Sequence, residues 1–340
     1  MMTSRHSGFF DLLTGQVLVM KNSTQSSSKQ AVLIIAPVMD YLTEKLEQNF
    51  TVHKLFQMAD HAQFLAEQGK NIKGIVTRGD IGVTNEVLAL LPEVEIISIF
   101  GVGTDAVDLD YTRERKIIVT TTPGVLTDDV ADTALGLIIA TSRRLCQADK
   151  FLRAGQWPHS SLPLASKVTG KRLGIFGMGR IGQAIARRAA GFDMPIAYTD
   201  RVQIESLPYQ YVPDLITLAQ QSDILVVAIS GGKESAGLVD KAIFAAMPND
   251  GMLINIARGS MVNQDDLIHA LQQQDIGGAG LDVFADEPNV PQALIEMDNV
   301  VLLPHIASAT KETRIQMSDI VFSNIHAHFS GQPAPTAITY

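Results

Sequence analysis

At 340 residues the chain is roughly twice as long as a single hydrophobic core of about 150 residues ordinarily supports, which implies two domains. Hydrophobic residues make up 46% and charged residues 19%, a globular balance that excludes a disordered, collagen-like or coiled-coil chain. No apolar run approaches the roughly 18 residues of a membrane span, and a net charge of −9 speaks against nucleic acid as a partner. The single cysteine, Cys146, excludes an intrachain disulfide and a cysteine-based zinc site and suits a reducing compartment, the cytoplasm.

Residues 1–30 read as a flexible leader, because Asn22–Gln30 is mostly Ser, Asn, Gln and Lys and cannot bury enough surface to order itself. The fold is expected to start at Ala31. Strand-like runs then follow at Ala31–Ala36, Gly74–Thr77, Ile96–Phe100 and Ile117–Thr121. Six more follow at Leu173–Phe176, Ile196–Thr199, Ile224–Ile229, Met252–Ile256, Gly278–Val283 and Val300–Leu303. Most are continuous apolar runs, as parallel strands covered by helices on both faces require. Their alternation with helical stretches predicts an α/β protein with doubly wound sheets. A long helix capped by Thr127, with Val130, Ala134, Leu137, Ile138, Thr141 and Leu145 at helical spacing, reads as the connector between domains.

Two glycine motifs follow strands. Gly177-Met-Gly179-Arg-Ile-Gly182 sits between a strand and a helix, and Asp200 closes the next strand about twenty residues on. This is the order of a dinucleotide-binding unit, with a pyrophosphate on the helix N-terminus and an acid for the ribose hydroxyls. Arg201 could instead pair with the 2′-phosphate of NADP, but Asp200 would repel that phosphate, so NAD is favoured. Gly101-Val102-Gly103-Thr-Asp-Ala106 lacks the downstream acid; it reads either as an anion nest for a small carboxylate or as a structural turn.

Ligands of open α/β sheets bind at the carboxyl ends of strands. Three such ends carry Arg258, Glu287 (with Asp282 before it) and His305. Each has an ordinary structural explanation. Together, arginine can grip a carboxylate, histidine can move a proton, and glutamate can hold that histidine protonated. His326 and His328, two apart on a helix, share no face and read as solvated or interface residues; no metal site is expected.

The motifs GVGTDAVDL, TPGVLTDDVADTALGLIIA, GMGRIGQAIARR, INIARG, GGAGLDVFADEP and LLPHIAS resemble those of the D-isomer-specific 2-hydroxyacid dehydrogenases, within them the hydroxypyruvate/glyoxylate reductase branch. The resemblance implies a flavodoxin-like substrate domain (31–123 and 307–340) interrupted by a Rossmann NAD-binding domain (124–306). It implies that His305 is the general acid, Glu287 its partner, and Arg258 the carboxylate ligand together with amides at Val102 and Gly103. The cofactor would lie against Gly177, Gly179, Arg180, Ile181, Gly182, Asp200, Arg201, Ile229, Ile256, Ala257, Arg258, Asp282 and His305. The substrate would be a small 2-oxo acid, and a loop carrying Trp157 would pack across a homodimer. A relative acting on a sugar acid or an aromatic 2-oxo acid, or an NAD-sensing corepressor, would carry the same pattern.

Overall fold

The computed structural model describes residues 29–232 and 235–339. The leader expected over 1–30 lies outside the described residues except for its last two. Those two belong to the fold, since the Gln30 carbonyl accepts the Thr51 amide at 2.9 Å.

The first sheet holds β1 (Ala31–Ile34), β2 (Thr51–Lys54), β3 (Ile72–Arg78), β4 (Ile96–Phe100) and β5 (Ile118–Thr120), in the order β2-β1-β3-β4-β5. The second holds β6 (Leu173–Phe176), β7 (Ile196–Thr199), β8 (Gln210–Tyr211), β9 (Ile224–Val227), β10 (Met252–Asn255), β11 (Gly278–Leu281) and β12 (Val300–Leu302). Its order is β12-β11-β10-β9-β6-β7-β8. Every strand pair in both sheets is parallel. The first order is that of a flavodoxin-like sheet and the second that of a dinucleotide-binding sheet, each with a switch point where strand order reverses. Strands β4, β6, β9, β10 and β11 are buried along their whole length, which is why their sequences are continuously apolar or small.

Helices α1 (Asp40–Asn49), α2 (His61–Gln68), α3 (Asn85–Ala89) and α4 (Leu109–Glu114) accompany the first sheet. Helices α5 (Thr127–Arg143), α6 (Leu145–Arg153), α7 (Arg180–Ala190), α8 (Leu215–Gln220), α9 (Lys241–Ala246), α10 (Gln264–Gln273) and α11 (Gln292–Ile295) go with the second. Helix α12 (Lys311–Phe329) returns to the first, packing on β4 and α1. After it, the Ile338 amide donates to the Val119 carbonyl at 2.9 Å, which sews the C-terminal segment to the edge strand β5. One apolar cluster runs from Ile34 and Phe100 through Leu126 and Val130 to Ile175 and Ala186, so α5 joins the two sheets through shared core.

Helix α5 departs from expectation at both ends. Thr127 is its first helical residue rather than its cap. Leu126 holds the cap position with a helical backbone (φ −98, ψ −2), not the extended one a capping hydroxyl needs. The far end stops at Arg144, whose φ of +54 is left-handed, so Leu145 begins a new helix and is 48% exposed instead of continuing the buried face. Two strands, β2 and β8, were not expected. His328 is also not solvated: its Nε2 lies 3.0 Å from the Glu95 carboxylate, while His326 stays exposed against the Phe322 ring.

Candidate active site

Strand β10 ends at Asn255, whose amide side chain is 1% exposed and sets the turn that follows. Its Oδ1 accepts the Ala257 N–H at 3.1 Å and its Nδ2 donates to the Arg258 carbonyl at 3.0 Å. Arg258 is thereby aimed across to the first sheet. There its Nε donates to Asp105 Oδ2 at 3.0 Å, while a terminal nitrogen donates to the Ala257 carbonyl at 2.9 Å. Asp105 lies in the GVGTDA turn after β4. Glycine at 103 leaves room for the guanidinium, since a Cβ there would stand 1.8 Å from an Arg258 terminal nitrogen and push that side chain aside.

His305 follows β12 and has a left-handed backbone (φ +52), uncommon for a residue with a side chain and costly unless its surroundings impose it. Asp282, just after β11, imposes it. Its carbonyl accepts the His305 N–H at 2.9 Å, and its carboxylate accepts the Ile306 and Ala307 amides at 2.7 and 2.9 Å. Burial pushes the Asp282 carboxyl up from its ordinary pKa, against the pull of those amides. Glu287 also acts twice: Oε1 accepts the Phe284 N–H at 3.0 Å, and Oε2 lies 2.6 Å from His305 Nδ1. The bond to Glu287 holds the imidazole above its ordinary pKa despite burial. Glu287 is held below its own, since the histidine and the Phe284 amide outweigh the burial that would raise it.

Arg258, Asp282 and His305 line one cleft between the sheets, of about 110 Å³, together with Phe100, Val102, Leu126, Val130, Ile181, Ile256 and Met317, and Glu287 reaches it through His305. A second hollow adjoins it through Val102, Ile181, Ile256 and Arg258, and carries Gly103, Asp105, Ile229, Gly231 and Ala257. The glycine turn of residues 177–182 opens nearby and has the form a dinucleotide needs. Gly177 has φ +103, and a Cβ on it would lie 2.5 Å from the Ile229 nitrogen; one on Gly182 would lie 2.1 Å from the Gly177 oxygen. Gly179, by contrast, faces open space, where a Cβ would meet nothing within 4 Å, so a phosphate can approach the start of α7 there. Asp200 closes β7 with both carboxylate oxygens occupied, accepting the Met178 and Arg201 amides at 2.7 Å each.

The expected substrate residues Val102, Gly103, Arg258 and His305 therefore converge with Glu287 and Asp282, while Arg180, Asp200 and Arg201 stand around the glycine turn. Four further charged side chains at the cleft stand outside the strand ends of the chain's second half. Asp105 was inside a recognised motif but had no assigned partner. Arg78 ends β3 and Asp80 follows it, and the two are joined by a bidentate ion pair. Arg314 comes from the first turns of α12, where only the returning chain brings it to the cleft. Among the described residues no group of three or more His, Cys, Asp or Glu side chains could hold a metal ion, and no helix is long and apolar enough to cross a membrane.

Residues 135–307 match the family model for the NAD-binding domain of D-isomer-specific 2-hydroxyacid dehydrogenases. The chain is 44% identical over 307 residues to a hydroxyphenylpyruvate reductase of Plectranthus scutellarioides, covering 90% of this chain and 98% of that one. It is 43% identical, with the same coverage, to a glyoxylate/hydroxypyruvate reductase A of Arabidopsis thaliana. The NADPH-dependent glyoxylate/hydroxypyruvate reductase of Sinorhizobium meliloti, solved with NADP and malonate, superimposes with a TM-score of 0.85 at 39% identity, over 92% of this chain and 97% of that one. With half the chain matched to the family model and nine-tenths to its members, the protein belongs to the D-isomer-specific 2-hydroxyacid dehydrogenase family of NAD(P)-dependent oxidoreductases.

Proposed function

We propose that the protein reduces hydroxypyruvate or glyoxylate to the D-2-hydroxy acid, with the chemistry carried by Arg258, His305 and Glu287. The observation that carries this reading is the 2.6 Å contact of Glu287 Oε2 with Nδ1 of His305, a residue that lines the same cleft as Arg258. With Nδ1 engaged, Nε2 is the nitrogen left to serve a ligand. Arg258 and the amides at Val102 and Gly103 bind the substrate carboxylate. When bound, the reduced nicotinamide supplies the hydride to the carbonyl carbon. His305 then gives its Nε2 proton to the carbonyl oxygen, and the Glu287 carboxylate stabilises the imidazolium beforehand, which raises the share of the histidine that carries this proton. Glu287 plays no direct part in the transfer; it sets the histidine's tautomer and charge.

The cofactor is held by Gly177, Gly179, Arg180, Ile181 and Gly182 around the pyrophosphate, by Asp200 and Arg201 at the adenosine ribose, and by Ile229, Ile256, Ala257 and Asp282 toward the nicotinamide. The fixed negative charge of Asp200 favours NAD over NADP. The working units are 31–123 with 307–340 for the substrate and 124–306 for the nucleotide. Two copies associate through the loop after α6, where Trp157 is 71% and Leu164 fully exposed, and the protein works in the cytoplasm. Initial rates with NADH and NADPH on hydroxypyruvate, glyoxylate, phenylpyruvate and 2-ketogluconate test the substrate and cofactor, and sedimentation equilibrium tests the dimer. Absence of turnover on both hydroxypyruvate and glyoxylate would overturn the reading.

A further inference from the structure

The cleft has two unlike ends. At one end it shares Val102, Ile181, Ile256 and Arg258 with the hollow on the nucleotide side. At the other it shares Arg78, Phe100 and Arg314 with an outer hollow closed by Pro37, Val38 and Met39. The two hollows have no lining residue in common, so the cleft runs from Arg258 at one end to Arg314 at the other.

The far end brings two guanidinium groups, those of Arg78 and Arg314, close together. Arg78 is neutralised by Asp80 through a two-point ion pair, in which Nε to Oδ1 spans 3.0 Å. Among the described residues Arg314 makes no such ion pair. Its guanidinium carbon stands 5.4 Å from the centre of the Phe100 ring, against which the side chain lies. Burial, and next the neighbouring Arg78 charge, hold its pKa below the ordinary arginine value, with Asp80 and Asp129 pulling the other way. Asp129 accepts the Thr310 hydroxyl at 2.5 Å, and its charge acts on Arg314 without a direct ion pair. A half-buried guanidinium beside a second one is an unfavourable arrangement that an anion between them would relieve.

We propose that Arg314 and Arg78 form a distal anion subsite that takes the second acidic group of a 2-oxo acid whose first carboxylate is held by Arg258. The proposal rests on the 2-oxo acid reductase reading given above and extends its substrate class to 2-oxo acids with a terminal carboxylate or phosphate. Such a molecule spans the cleft from Arg258, past His305, to Arg314, with Phe100 bordering its middle. The phosphate and carboxylate forms share this chemistry and differ in charge and reach, so both are tested.

The experiment compares kcat/KM for matched pairs with a saturating reduced nicotinamide: 2-oxoglutarate against 2-oxohexanoate, and phosphohydroxypyruvate against hydroxypyruvate. The expected result is a preference of about tenfold or more for the charged member of at least one pair, with the pair identifying which anion fits. Arg314→Met, which keeps an unbranched stem against Phe100, collapses that ratio toward one, and Arg314→Lys retains part of it. Raising salt lowers the ratio as well, as an ionic contact requires. Turnover of hydroxypyruvate or glyoxylate with no preference for either charged member would overturn this subsite and leave the reductase reading standing. A preference that survives Arg314→Met unchanged would likewise overturn it. No turnover of any 2-oxo acid would overturn both.

Discussion

Arg258 Nε and Asp105 Oδ2 lie 3.0 Å apart and join the two sheets across the cleft, one residue standing after β10 and the other after β4. Both side chains are about one-quarter exposed, at 24% and 26%, so the bond is only partly screened by water. Asp105 holds Arg258 from the side, through Nε, and so fixes the plane in which the guanidinium meets a carboxylate. Asp105→Asn should therefore lower kcat/KM for the 2-oxo acid about tenfold, mostly through KM, because ground-state positioning is what is lost. An unchanged KM in the variant would show that Asp105 does not orient Arg258.

The His305–Glu287 pair makes a prediction about pH. Glu287 raises the pKa of His305, and reduction uses the protonated imidazole, so the rate should fall as pH rises through that elevated value. Glu287→Gln removes the largest upward contribution and should move the falling limb of the kcat profile to lower pH. A profile that stays in place would remove Glu287 from the account.

The same pair should show in stability. His305 is raised, so its contribution is complete below the unfolded imidazole's pKa and is lost as pH rises through the folded one. Glu287 is depressed, so its contribution is complete above the unfolded carboxyl's pKa and is lost as pH falls through the folded one. Between those limits Glu287→Gln should melt below the wild type, and the two melting curves should converge at either extreme of pH. Differential scanning calorimetry across pH checks this.

Asp200 bears on cofactor choice. Its oxygens are already bonded to the Met178 and Arg201 amides, which fixes the charge at the end of β7 beside exposed Arg201. Asp200→Asn keeps an acceptor for Met178 but removes the charge that repels a 2′-phosphate. The ratio of kcat/KM with NADPH to that with NADH should rise, by about tenfold for a contact of ~1.4 kcal/mol. A ratio that does not move would locate cofactor choice elsewhere.

Helix α5 supports both sheets, and Leu137 and Ile138 on it are 1% and 0% exposed. Leu137→Ala should destabilise the fold by about 2–5 kcal/mol, read by urea denaturation, since the cavity it leaves lies in packed core. A loss under ~1 kcal/mol would mean the helix can settle inward without it.

Much of this arrangement was legible in the chain because buried parallel strands are written as unbroken apolar runs. Ile96–Phe100, Leu173–Phe176 and Ile196–Thr199 have the boundaries expected of them. Strand β2, Thr-Val-His-Lys, lies at a sheet edge with no fully buried residue, and β8 is two residues long; neither has an apolar run to detect. The glycine turn and the three strand ends of the second sheet were visible because strand, turn and polar residue adjoin in sequence. Asp105 and Arg314 were not, since their role depends on residues 153 and more than 200 positions away, across β4 and β3. Thr127 failed as a cap because the chain already turns helically at Leu126, a matter of backbone conformation that residue type alone does not specify.

The central claim is that His305 delivers the proton in reduction of a small 2-oxo acid. Its most direct test is the rate at which wild type and His305→Gln oxidise the reduced nicotinamide on hydroxypyruvate, with circular dichroism confirming that both are folded. The wild type should turn over, and the variant should lose about 10²–10⁴ in kcat. Near wild-type turnover in His305→Gln would contradict the account.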